Sequence, residues 1–219
     1  MLLQAAIDGA SKGISLGEAI IYTEKIYRST DIIEVGTSFI QRYGMVAVEE
    51  MRRAFPDKII LGDMKLMDGG GPSTQMCCEA GADIVTVLGV SDGITISEAV
   101  KAAHLLGKEI MVDMICVERL EKRIKEVEAI GVDYVCVHIG VDMQKQGKNP
   151  LEELKAAKRV ATAVKVAVAG GINLDSIDVI ALEKPDVIIV GGGFKTENPG
   201  KTAEHIRARM EGIQSGNAL

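Results

Sequence analysis

Short apolar runs of one pattern recur along the chain at near-constant spacing. An Asp opens four of them: Asp31-Ile32-Ile33-Glu34-Val35-Gly36, Asp83-Ile84-Val85-Thr86-Val87-Leu88, Asp133-Tyr134-Val135-Cys136-Val137-His138 and Asp186-Val187-Ile188-Ile189-Val190-Gly191. Their first residues lie 52, 50 and 53 positions apart. Between them falls a second series, Lys58–Asp63, Lys108–Asp113 and Lys165–Gly170, and the opening run Leu3–Asp8 fits it in length and ending. Eight β-branched runs, one about every 25–27 residues, have the spacing of βα units. Runs that are apolar on both faces suit a parallel sheet covered on both sides.

The spacers carry apolar residues at three- and four-residue intervals among Lys and Glu, which predicts helices over 15–29, 41–55, 93–107, 117–130, 150–163 and 199–211. Gly81, Gly107 and Gly131 stand just before the next strand, where a helix C-cap belongs. Eight strand–helix units with nothing left over predict a closed (β/α)8 barrel, a TIM barrel. No Pro/Ser-rich linker interrupts the pattern, so residues 1–219 read as one domain. The competing architecture, an open doubly wound sheet, ordinarily carries a nucleotide fingerprint, and no GxGxxG follows the first strand.

In such a barrel, chemistry sits at the C-terminal ends of the strands. The shared register puts Asp8, Asp63 and Asp113 at one level on strands one, three and five, with Glu34 and His138 near it on strands two and six. Period-two alternation puts Lys65 on the same face as Asp63. Taken singly, each Asp reads as a cap or turn residue and His138 as a core histidine. Four carboxylates, a lysine and a histidine at one mouth read instead as a site. Two glycine turns, Gly170-Gly171 after strand seven and Gly191-Gly192-Gly193 after strand eight, are candidate phosphate cradles formed by backbone N–H groups. Glycine also serves tight turns; doubled glycines at both customary positions favour phosphate, with Gly170, Gly171, Gly191 and Gly192 as its binding residues.

Composition narrows the partners. Of 219 residues, 25 are Lys or Arg and 31 Asp or Glu, a net charge of −6, and aromatic residues make up only 3%. An acidic chain without Trp lacks the basic stripe and stacking platforms of a nucleic-acid binder. No apolar run approaches membrane-spanning length, and Met1-Leu2-Leu3-Gln4 has neither the basic segment nor the cleavage site of a signal peptide. Cys77, Cys78, Cys116 and Cys136 show no metal or disulfide spacing and read as reduced, mostly buried thiols. A cytoplasmic protein is expected.

Asp63-Met64-Lys65-Leu66-Met67-Asp68 is a DxKxxD motif. With Ile33–Thr37, Thr86–Val90, Val112–Ile115, Val137-His138, Gly147–Pro150, Val166–Ile172 and Ile189–Gly192, it makes the chain resemble the orotidine-phosphate decarboxylase superfamily over almost its whole length. Within that superfamily it is most similar to the hexulose-phosphate synthase group. The sister keto-gulonate-phosphate decarboxylases carry Glu at the position of Asp113 and Arg at those of Val141 and Gly192.

The resemblance implies a reversible aldol addition of formaldehyde to a phosphorylated ketopentose, ribulose 5-phosphate. It implies Mg²⁺ held by Glu34 and Asp63, and no organic cofactor; Mn²⁺ accepts the same ligands. His138 would move the C1 proton, because an imidazole ordinarily titrates near neutrality. Lys65, held between Asp63 and Asp68, would hydrogen-bond substrate oxygens, and Asp113, Asp8 and Glu34 would complete the substrate's contacts. Asp68 would reach a neighbouring subunit's site, which implies a homodimer. A Schiff-base role for Lys65 needs a deprotonated amine, and flanking carboxylates favour the ammonium. Two further alternatives are the sister decarboxylase and a phosphosugar-binding barrel without activity.

Overall fold

The computed structural model describes residues 1–216; Asn217, Ala218 and Leu219, which the one-domain expectation includes, lie outside the described residues. All eight runs form strands: β1 (Leu2–Ile7), β2 (Ile32–Val35), β3 (Ile59–Leu66), β4 (Ile84–Leu88), β5 (Glu109–Asp113), β6 (Tyr134–His138), β7 (Lys165–Ala169) and β8 (Val187–Val190). Each lies parallel to its neighbours in sequence, and β8 closes on β1 with Ala5 opposite Val190. The two-faced apolarity has a direct cause. One face fills the barrel interior with Ile32, Leu61, Ile84, Met111, Tyr134 and Val187, and the other packs Ile33, Ile60, Val85, Val112 and Val135 beneath the helices.

The helices are α1 (Leu16–Glu24), α2 (Thr37–Tyr43), α3 (Val46–Ala54), α4 (Gly70–Glu79), α5 (Gly93–Leu105), α6 (Leu120–Ile130), α7 (Val141–Gln144), α8 (Leu151–Val160), α9 (Ile177–Leu182) and α10 (Pro199–Gln214). The single helix expected over 41–55 is broken: Gly44, at φ 61°, separates α2 from α3 in a conformation that side-chain-bearing residues disfavour. The helix expected over 15–29 stops at Glu24, and Tyr27–Ser29 form a separate 3-10 turn. α4, α7 and α9 are additional to those the pattern predicts. α4 crosses α5 at backbone contact, since a Cβ on Gly70 would lie 2.1 Å from the Thr95 carbonyl oxygen. No helix among the described residues is long and apolar enough to cross a membrane.

The recurring Asp has one structural task, repeated four times at the end of the barrel away from the mouth. Asp31 Oδ2 accepts from Leu3 N–H at 2.8 Å, Asp83 Oδ2 from Ile60 N–H at 2.9 Å, Asp133 Oδ2 from Ile110 N–H at 2.8 Å and Asp186 Oδ2 from Val166 N–H at 2.8 Å. The main-chain N–H of each Asp returns a bond to the carbonyl of the same residue. Every even strand is thus stitched at its start to the odd strand before it.

Asp83 also accepts from Lys108 and Arg52. Burial pushes its carboxyl up, but the Lys108 hydrogen bond, the Ile60 N–H and the Arg52 charge outweigh that and hold it below its ordinary value of 3.8. Its contribution to stability is therefore complete above that value and is lost as pH falls through the lowered one. Asp83→Asn is expected to cost about 1–3 kcal/mol at neutral pH and to flatten the acid limb of stability. Thermal unfolding at neutral pH and near pH 3 checks this, and an unchanged midpoint would deny the stitch its role.

Candidate active site

Strands β3, β5 and β6 deliver three groups to one point at the C-terminal mouth. Lys65 Nζ lies 2.7 Å from Asp113 Oδ2 and 3.2 Å from Asp63 Oδ1. His138 Nδ1 lies 2.9 Å from Asp113 Oδ2 and 3.1 Å from its Oδ1. Asp63 also accepts from Thr37 Oγ1 at 2.6 Å and Thr86 Oγ1 at 2.8 Å. Glu34, deeper in the barrel, accepts from Gln4 Nε2 at 2.6 Å, and Asp8 at the rim accepts from Ser38 Oγ at 3.3 Å.

Lys65 does not arrive by simple alternation. Gly62 stands opposite Val85 and Leu66 opposite Val87, so β3 carries two more residues than β4 across that interval. The extra length is taken up by a bulge in which Lys65 adopts φ 46° and donates its N–H to Thr86 Oγ1 at 2.9 Å. Bulges of this kind re-aim a side chain, and a lysine in the left-handed region is a strained position of the sort found at functional sites. Asp68 is not in the cluster of its own chain: it is exposed and, among the described residues, accepts only from the Gly69 N–H, at 2.7 Å.

The charges divide in two. Burial alone would lower the Lys65 ammonium, but Asp63 and Asp113 hold it well above its ordinary range, so it carries its proton at neutral pH. Burial would raise Asp113, yet the hydrogen bond and charge of His138, with Lys65, hold it down to about 2. Glu34 and Asp8 lack such partners. Burial, then the charges of Asp63 and Asp8, push Glu34 well up; burial, then Asp63, raise Asp8. Three crowded carboxylates, Glu34 and Asp63 among them buried, are an environment a divalent cation would relieve, and their hard oxygen donors suit Mg²⁺ or Mn²⁺. Among the described residues no three His, Cys, Asp or Glu are grouped to hold an ion. An ion on Glu34 and Asp63 would therefore complete its shell with water or substrate oxygens.

Across the mouth, Gly170 and Gly171 stand at φ 120° and 70°. A Cβ on Gly170 would lie 2.6 Å from the Ile139 carbonyl oxygen, so that glycine has a packing reason; Gly192 faces open space. None of the described residues accepts from the N–H groups of Gly170, Gly171, Gly192 or Gly193.

Gln4, Thr37, Ser38 and Thr86 orient the carboxylates and are not among the residues expected from sequence. Gln4 had a signal, an amide inside an apolar run that becomes a fully buried side chain. The hydroxyls had none. Three cysteines are buried and Cys116 is exposed, all four as free thiols.

Fold and site together define the class: a (β/α)8-barrel enzyme with an acid–lysine–histidine centre. The chain belongs to the orotidine 5'-phosphate decarboxylase / HUMPS family, whose model matches residues 1–206. It is 45% identical over 194 residues to a 3-hexulose-6-phosphate synthase of Bacillus subtilis, covering 89% of this chain and 90% of that one. The crystal structure of 3-hexulose-6-phosphate synthase from Salmonella typhimurium superposes with a TM-score of 0.93 at 39% identity, over 97% of this chain and 100% of that one. A 3-keto-L-gulonate-6-phosphate decarboxylase from Vibrio cholerae superposes with a TM-score of 0.85 at 25% identity, over 97% of this chain and 98% of that one.

Proposed function

We propose that the chain catalyses the reversible addition of formaldehyde to D-ribulose 5-phosphate, giving D-arabino-hex-3-ulose 6-phosphate. The observation that carries the reading is the Lys65–Asp113–His138 relay, a permanent ammonium and an oriented imidazole at one mouth. With Nδ1 donating to Asp113, His138 presents Nε2 as the base, and Nε2 makes no hydrogen bond among the described residues. Nε2 takes a proton from C1 of the ketose, the electron pair moves toward the C2 oxygen, and Lys65 donates hydrogen bonds to the enediolate. C1 then bonds to the formaldehyde carbon, and the proton on His138 passes to the former aldehyde oxygen.

Asp8 and Asp113 orient hydroxyls, and the N–H groups of Gly170, Gly171, Gly191 and Gly192 take the phosphate. Mg²⁺ or Mn²⁺ on Glu34 and Asp63 would stabilise negative charge developing on the substrate's oxygens. We assign the protein to the cytoplasm, where four cysteines without disulfide spacing belong; burial pushes the Cys77 thiol to about 12 and Cys78 to about 11. We also assign it a homodimer in which Asp68 serves the neighbouring site. Met67, beside it in sequence, and Ile94, next to the Thr95 that packs on Gly70, are exposed apolar residues and support that assignment.

The test is disappearance of formaldehyde with ribulose 5-phosphate in Mg²⁺ and in excess EDTA, beside CO₂ release from 3-keto-gulonate 6-phosphate. Formaldehyde consumption that EDTA stops and added Mg²⁺ restores is expected, well above any decarboxylation. Dominant CO₂ release would move the assignment to the sister decarboxylase, and consumption insensitive to EDTA would remove the metal.

A further inference from the structure

The geometry points to Lys195 as the cation that receives the substrate's phosphate, an inference that rests on the sugar-phosphate reaction proposed above. The glycine turns offer N–H groups but no charge, and Gly192 leaves open space where a side chain would stand. Asp8, Glu34, Asp63 and Asp113 make the mouth hostile to a dianion. The half-buried ammonium there, Lys65, is already taken by Asp63 and Asp113.

Lys195 lies three residues beyond Gly192, and its N–H donates to the Gly192 carbonyl at 2.9 Å. Its side chain turns back over the seam where β8 pairs with β1, and Nζ lies 3.4 Å from the main-chain carbonyl oxygen of Asp8. The ammonium therefore sits between the strand-eight glycine turn and the end of β1. It is exposed, and among the described residues it makes that one long bond to a neutral acceptor and no ion pair. A phosphate can take it without breaking a salt bridge. Its field already reaches the mouth, since it is one of the influences opposing the rise of Asp8. An ammonium contributes a point charge that the backbone N–H groups then orient, a division of labour suited to a phosphate.

The test compares Lys195→Gln and Lys195→Arg with the unaltered chain in two ways. In the condensation assay, Lys195→Gln is expected to raise KM for ribulose 5-phosphate on the order of ten- to thirtyfold, with a smaller change in kcat and in KM for formaldehyde. Lys195→Arg keeps KM within about threefold. Independently of any turnover, inorganic phosphate, added against chloride at constant ionic strength, raises the melting temperature of the unaltered chain and of Lys195→Arg. Lys195→Gln loses that rise.

A KM for ribulose 5-phosphate unchanged in Lys195→Gln would overturn the inference. So would a phosphate-dependent rise that Lys195→Gln retains, or its absence in the unaltered chain. If the unaltered chain consumes no formaldehyde, the proposed reaction fails, while the phosphate arm still decides on Lys195.

Discussion

Replacing Lys65 with alanine is expected to lower kcat/KM for the condensation by at least about 10³-fold while the barrel stays folded. The ammonium makes its contribution where charge develops, and among the described residues no other cation touches Asp63 and Asp113 together. Those two carboxylates are 8% and 4% exposed. Leaving Asp63 with only its two threonine hydroxyls and Asp113 with only His138 adds a stability loss of about 3 kcal/mol, to be read from thermal unfolding and far-ultraviolet circular dichroism. Lys65→Arg keeps the charge but not the point geometry, and regains little activity. Mixing Lys65→Ala chains with Asp68→Ala chains tests the shared site at the same time. Random pairing gives heterodimers with one intact site each, hence about a quarter of the unaltered activity. Near-normal turnover of Lys65→Ala would mean that the site is misassigned, and no recovery on mixing would confine Asp68 to its own subunit.

His138→Asn is expected to lower kcat about 10²–10⁴-fold, the range for loss of a positioned general base. A more direct readout needs no formaldehyde: in D₂O the unaltered chain exchanges a C1 hydrogen of ribulose 5-phosphate, followed by proton NMR, and His138→Asn does not. Exchange that survives the substitution would transfer the proton step to another group.

These two residues also mark how far the sequence could be read. The strands were legible because a strand covered on both sides leaves a continuous β-branched run, and eight such runs at even spacing leave little choice of architecture. Asp8, Asp63, Asp113, Glu34 and His138 followed, because each stands at or near a strand end and the barrel brings those ends together. Lys65 was found by alternation, yet it reaches the mouth through a left-handed residue in a bulge, which period-two reasoning does not contain. α4 lacks the apolar spacing of the other helices, though Gly81 marks where it ends, and Gly70 at its start is required by the contact with Thr95 of α5. The split at Gly44 was written in the residue itself and was passed over for the apolar spacing on either side. Thr37 and Thr86 became visible only when the fold set them beside Asp63.

The fourfold Asp stitch has a further meaning. Each quarter of the chain carries its own fastening at the lower end, so a quarter repeated four times would in principle join up there in the same way. At the upper end such a ring would be useless, presenting four identical rims to a substrate with two different ends. The departures from repetition, a bulge in one odd strand, a histidine ending one even strand and glycine turns after the last two, all lie above the stitches. What makes the molecule a particular catalyst is thus the breaking of its symmetry on one side only, on a base where the symmetry was kept.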